Sequence, residues 1–249
     1  MLLVIGVLAV LGFNSAVSGC GVLAEPGAAP HRSAAPHSPT TAPHAGAPDP
    51  SSAVPKAPMT PAQATAALNA LRVADRGSLG RYDRDRFGPA WSDDVSVAGG
   101  HNGCDTRNDM LRARLVRITV KPGTHNCIVL TGTLLDPYTG HSLSFNRSQN
   151  AAAIQIDHIV PLAEAWRSGA AGWTDDQRRN LANDPAELMP VDGKQNSAKG
   201  DSGPDSWRPP NRGAWCWYAQ VYINVKSRYH LSVQASEKSA LGDMLRYCK

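Results

Sequence analysis

Hydrophobic and polar positions divide the chain into unlike stretches. Leu2 to Phe13 is an almost unbroken apolar run that closes in the small residues Ser15 to Gly19 and then Cys20. Crossing about 30 Å of hydrocarbon takes roughly 20 apolar residues, so this run is short for a membrane span and fits the h-region of an export signal. From Gly21 to Pro58 there is no aromatic residue, and nine of the chain's 19 prolines crowd among Ala and Ser. Such a stretch buries too little apolar surface to offset its ordering entropy. Pro biases it to a disordered, extended tether of at most about 120 Å.

Periodicity returns at Thr60. Thr60, Pro61, Ala62 and Gln63 read as a capping box with Pro at the first helical position, and Ala64, Ala67, Leu68, Leu71 and Ala74 predict a helix that stops at Gly77. Leu115 to Val120 and Cys127 to Thr133 read as strands joined by a turn at Lys121 to Thr124, and Ser142 to Asn146 as a further strand leading toward Ala153 to Val160. Trp215, Tyr218, Ala219 and Tyr222, then Leu241, Met244, Leu245 and Cys248, recur at helical intervals. The predicted class is α+β, with a signal over 1–20, a linker over 21–58 and one domain over 59–249.

Composition adds limits. A hydrophobic share of 42% excludes a wholly disordered chain, and no repeat supports a collagen or a coiled coil. Acids and bases before residue 59 cancel (Glu25 and Asp49 against Arg32 and Lys56), so the formal charge of +4 belongs to the domain. That weak cationic bias admits anionic partners without demanding one. Val17, Ser18, Gly19 and Cys20 resemble a lipobox, which makes Cys20 the expected lipidation site and an N-terminal lipid the expected membrane contact. The n-region departs from this pattern, because the first basic residue is Arg32.

Setting Cys20 aside leaves an even four, as an oxidising compartment favours. Of three connectivities, the favoured one pairs Cys104 with Cys127, clamping a loop onto a strand, and Cys216 with Cys248, tying the last two helices. Each bridge is worth about 3 to 4 kcal/mol by loop-closure entropy. No C-x-x-C pair or H-E-x-x-H run supports zinc, and His31, His37 and His44 in the tether lack ligand spacing.

Chemistry concentrates between Ile156 and Asp201. Asp157 and His158 are neighbours on an expected strand, where successive side chains point to opposite faces; they share a site only by flanking a reacting group or through a distorted strand. Asn196 follows in Asn196-Ser197-Ala198-Lys199-Gly200-Asp201, after a turn at Asp192-Gly193 and on a short stretch that can be a helix. A carboxylate and an amide oxygen are hard ligands suited to Mg²⁺, and a neutral His is the natural base near pH 7. Phosphodiester hydrolysis needs such groups.

These residues resemble the HNH, or ββα-metal, endonucleases. More closely, the chain is similar to exported bacterial HNH-endonuclease-family proteins whose nuclease domain is shared with the GmrSD-type restriction enzymes. The likeness rests on Tyr82 to Trp91, Asn102 to Leu111, Asp136 to Gly140, Asp157 to Ala165, Ala182 to Pro185, Asn196 to Asp201 and Trp207 to Pro209. It implies His158 as general base, Asp157 and Asn196 as ligands of Mg²⁺ (with Mn²⁺ or Ca²⁺ as alternatives), and water attack that leaves a 5′-phosphate. The expected substrate is nucleic acid, DNA before RNA; the low net charge points to loose engagement of low specificity, the N-terminal run to action outside the cytoplasm, secreted or lipid-anchored, and the expected state is a monomer.

Glu187 stands where the family has its middle Asn, and a Glu accepts hydrogen bonds but does not donate as an amide does. Asn183 is the expected substitute. Lys199 is expected as a phosphate contact or a partner of Asp201, and Glu187 and Lys199 join His158 as candidate catalytic residues. Arg107 and Asp109 are expected to pair beneath the site. Trp166, Trp173, Trp207, Trp215 and Trp217 are expected in or over the core, and His101, His125, His141 and His230 at turns or the surface. The rival readings are a binding lipoprotein that keeps the fold without turnover, and a cell-wall hydrolase, which needs two carboxylates from Asp157, Glu164 and Glu187.

Overall fold

The computed structural model describes residues 53–249. The signal, Cys20 and the tether up to residue 52 lie outside the described residues. The last of the tether already touches the fold, because Val54 and Ala57 pack against the larger core.

Helix α1 (Pro61–Ala70) starts as its sequence dictates: Thr60 Oγ1 accepts from Gln63 N, and the Gln63 side chain accepts from Thr60 N at 2.8 Å. It ends seven residues before Gly77, correcting the longer helix expected. Beyond Leu71 the backbone is used differently: Val73 forms a parallel bridge with Val233, whose N–H donates to Arg72 O and whose carbonyl accepts from Ala74 N. Ala74 therefore leaves the helical stripe. Gly77 then passes close to Arg167, whose carbonyl oxygen would lie 2.6 Å from an added Cβ.

Helix α2 (Thr106–Arg114), capped by Asp105, runs directly into β1 (Leu115–Val120). Strands β1, β2 (Val129–Leu135) and β3 (Ser142–Asn146) make an antiparallel sheet in that order. Strand β4 (Ile154–His158) pairs antiparallel with β5 (Leu188–Asp192), from Ile154 opposite Asp192 to His158 opposite Leu188. Between them lie α3 (Leu162–Arg167) and α4 (Asp175–Ala182), and β5 turns at once into α5 (Gly193–Lys199). Asp192 caps α5 by accepting from Gln195 N. Gly193 is needed there, since a Cβ would meet Ala152 O at 2.4 Å. The hairpin and its helix thus form a ββα unit.

Two cores hold the domain. The larger gathers α1, α3, α4, α6 (Trp215–Arg228) and α7 (Ala235–Leu245); the smaller lies between α2, the sheet and the hairpin, and buries Leu111, Val129, Phe145, Ile154 and Ile156. Trp166 and Trp217 are core residues, with Trp173, Trp207 and Trp215 against them. In the larger core, buried Lys226 joins α6 to α7 through Glu237 at 2.6 Å and to α3 through Ser168 at 3.1 Å. Two disulfides staple the ends of elements: Cys104–Cys127 links the entries of α2 and β2, and Cys216–Cys248 links the first turn of α6 to the chain beyond α7.

Candidate functional site

The site is built on β4. Its pairing with β5 continues without a bulge through Asp157 and His158, so the alternation of a regular strand sends the two side chains to opposite faces. The Gln155–Asp157 face meets α5. There Asn196 Nδ2 donates to Gln155 Oε1 at 2.8 Å, and Lys199 Nζ donates to Asp157 Oδ1 at 2.8 Å and to the His158 carbonyl at 2.7 Å. Asn196 and Lys199 sit three apart on one helix face, which lets a seven-residue helix address both strand positions.

Asp157 has a second partner that spacing does not reveal. Tyr138, fully buried, donates its hydroxyl to Asp157 Oδ2. The turn carrying Tyr138 is fixed by Asp136, whose Oδ2 accepts from Thr139 N and whose Oδ1 accepts from Asp192 N at the end of β5. Burial raises the Asp157 carboxyl, and the Lys199 ammonium opposes that shift. Lys199 is thus a buried partner of Asp157, not of Asp201 as one expectation had it. The Arg107–Asp109 pair also fails: Arg107 donates to the carbonyls of Ala151 and Ile154, while Asp109 accepts from Asn102 and faces Arg112.

His158, on the other face, is 7% exposed. Its Nε2 lies 3.0 Å from the Ala182 carbonyl, which can only accept, so Nε2 carries the proton and Nδ1 keeps a lone pair. Trp91 stacks on the imidazole with ring centroids 5.9 Å apart and planes 10° from parallel. Burial lowers the pKa from 6.5 to about 3, and the cations Arg84 and Lys199 push the same way. The imidazole is therefore neutral throughout the physiological range. Beside it opens a pocket of about 110 Å³, bordered by Arg84, Trp91, Leu162 and Asn183 among others.

Glu187 is completely buried, and its Oε1 accepts from Val160 N at 3.0 Å while Oε2 has no hydrogen-bond partner. Burial raises its carboxyl well above the usual range. A protonated acid offers one C=O and one O–H, the acceptor-and-donor pair of a primary amide; only the acceptor half is used here, where Oε1 holds Val160 N in the loop after His158, and Oε2 meets no partner among the described residues. Asn183 does not substitute for it; it donates to Arg179 O at 2.9 Å, next to the carbonyl that fixes His158. His101, His125, His141 and His230 are all exposed.

A divalent cation between Asp157 and Asn196 meets a poor donor set in this arrangement. Both Asp157 oxygens are engaged, one by Tyr138 and one by a buried ammonium that would face a dication directly, whereas Asn196 donates its Nδ2–H to Gln155 and keeps its Oδ1 without a partner among the described residues. Among the described residues no three His, Cys, Asp or Glu side chains gather for a metal. As placed, these residues do not fit a resident dication.

Residues 105–244 match the family described as GmrSD restriction endonucleases, C-terminal domain. A protein of the fungus Arthroderma benhamiae, named as an uncharacterized secreted protein, is 40% identical over 199 residues that cover 78% of this chain and 90% of the fungal one. The likeness is therefore not confined to bacterial proteins. No solved structure matches the chain. With more than half its length inside the family match, the chain belongs to the GmrSD restriction endonuclease C-terminal domain family.

Proposed function

We propose that the protein is an HNH-type nuclease that hydrolyses phosphodiester bonds of nucleic acid, DNA foremost and with low sequence specificity, outside the cytoplasm. The observation that carries this reading is His158: a neutral imidazole whose Nε2–H is fixed on Ala182 O, bordering a pocket on the ββα unit of a restriction-endonuclease family. His158 Nδ1 takes a proton from water, the water oxygen attacks phosphorus, and the bond from phosphorus to the leaving oxygen breaks with its electron pair on that oxygen. Lys199 and Asp157 hold the end of β4 so that the base keeps its aim. Two disulfides and the likeness to a fungal protein named as secreted support action outside the cytoplasm.

A second reading is favoured by one observation. The closed Asp157–Lys199 pair leaves no free carboxylate on that face, as in a protein that keeps the fold to bind nucleic acid without cutting it. Nicking of supercoiled plasmid, with Mg²⁺ or Mn²⁺ supplied and with EDTA in parallel, separates the two. The expected result is nicking by wild type and a loss of about 10²- to 10⁴-fold in His158→Ala. Equal nicking by that variant removes His158 as the base, and binding without nicking by wild type selects the second reading. Activity that disappears with EDTA would show that a divalent cation takes part in turnover.

A further inference from the structure

The segment over 84–91 lies ahead of the family match, yet it forms a wall of the pocket beside His158. It is held in place from below. Phe87 is 2% exposed in the larger core, and the Arg86 carbonyl accepts from Arg178 Nε at 2.9 Å, the Arg178 side chain being itself buried. At the other end Trp91 adopts φ +58, unfavourable for a bulky residue, and its carbonyl accepts from Thr106 N at the start of α2. From this position the indole lies parallel to the imidazole.

Arg84 differs from most cations of this fold. Arg107, Arg112, Arg147, Arg178, Arg179, Lys199 and Lys226 all have carboxylate, amide, sulfur or carbonyl partners. Arg84 is exposed at the pocket, and its side chain makes no hydrogen bond or ion pair among the described residues. Its charge nevertheless reaches both His158 and Asp157. A guanidinium with five free donors on the rim of a pocket floored by a base suits one ligand chemistry above others, the non-bridging oxygens of a phosphodiester.

We propose that Arg84 is the substrate-phosphate ligand of this pocket and that Trp91 is the positioning residue that sets the plane of His158, so that a segment ahead of residues 105–244 completes the site. This rests on the nuclease reading above and names its phosphate subsite. Arg84 draws the phosphodiester in, and the stacked Trp91 fixes where Nδ1 points when water is deprotonated.

The test uses the full chain. In a His158→Ala background, binding of a fluorescent DNA duplex is followed by anisotropy across a salt series, with and without Arg84→Ala; in the wild-type background the same change is read by plasmid nicking. Arg84 has no internal partner to lose, so the variant should fold as wild type, which its melting curve checks. Expected are a drop in kcat/KM of about 10- to 100-fold carried mostly by KM, a salt slope shallower by about one, and partial recovery in Arg84→Lys. Exposed Lys121→Ala, remote from the pocket lining, serves as the control. Trp91→Phe should hold kcat near wild type while Trp91→Ala lowers kcat with little change in KM. Unchanged affinity, slope and kcat/KM in Arg84→Ala overturns the subsite while leaving the nuclease reading intact. A wild type that neither binds nor cuts nucleic acid overturns both.

Discussion

At the scale of single residues, Glu187 shows why identity and protonation must be read together. Its pKa is raised, so folding favours its proton; the stability this brings is complete below the ordinary Glu value of about 4.5 and is lost as pH climbs toward the folded value. Glu187→Gln fixes the neutral state at every pH and keeps an oxygen for Val160 N. The variant should match wild type near pH 4.5 and grow more stable than wild type toward pH 8, by at most about 1.4 kcal/mol per pH unit. Chemical denaturation at several pH values reads this directly, and parallel curves would mean that Glu187 folds ionised. Asp157, His158 and Asn196 were legible because they belong to compact motifs whose residue types announce their chemistry. Tyr138, Arg84 and Trp91 were not, since each reaches the site through tertiary contact: a Tyr in an Asp-Pro-Tyr-Thr-Gly turn reads as exposed, whereas here Asp136 ties that turn to β5 and buries the ring.

At the scale of elements, the hinge of the site is the contact between α5 and β4. Lys199 neutralises Asp157 in a place where neither side chain is more than 5% exposed, so removing one partner strands the other. Lys199→Met should lose about 3 to 5 kcal/mol, and Lys199→Met with Asp157→Asn should recover much of it. The same variant examines the cation question: with Asp157 released, Mg²⁺ should raise the melting temperature of Lys199→Met and leave wild type nearly unmoved, by linkage to a ligand that binds only the folded state. A large Mg²⁺ shift in wild type would show the pair to be open in solution.

Elements with a clear period were readable in the chain. Strands β1 and β3 and helices α6 and α7 have apolar residues at strand or helix intervals, and α1 carries its capping box. The short polar helix α4 has the same kind of box, Thr174 with Gln177, but its body over Asp175–Ala182 has too few apolar residues to register as a period. Strand β5 includes Pro190 and is buried along nearly its whole length, so it shows no alternation.

At the scale of the whole molecule, a disulfide and the buried Lys226–Glu237 pair fasten α6 to α7, neither of which lines the pocket. Cys216–Cys248 spans 32 positions and joins α6 to the chain end just past α7, where Trp215 also meets Tyr247 edge-on at 4.7 Å. Opening it restores loop entropy to the unfolded chain without disturbing β4, so the loss should fall on stability and spare catalysis. Loop-closure entropy gives about 3 to 4 kcal/mol, which for a domain of this size is roughly a 10 °C fall in melting temperature. The double change Cys216→Ala and Cys248→Ala should show that fall while nicking plasmid at the wild-type rate well below the melting point. Reductant should then move wild type toward the variant by about the same amount, provided that the Cys104–Cys127 contribution is separated with its own Ala pair. A variant that melts as wild type does would mean that packing around Trp215 and Lys226 alone holds α6 to α7.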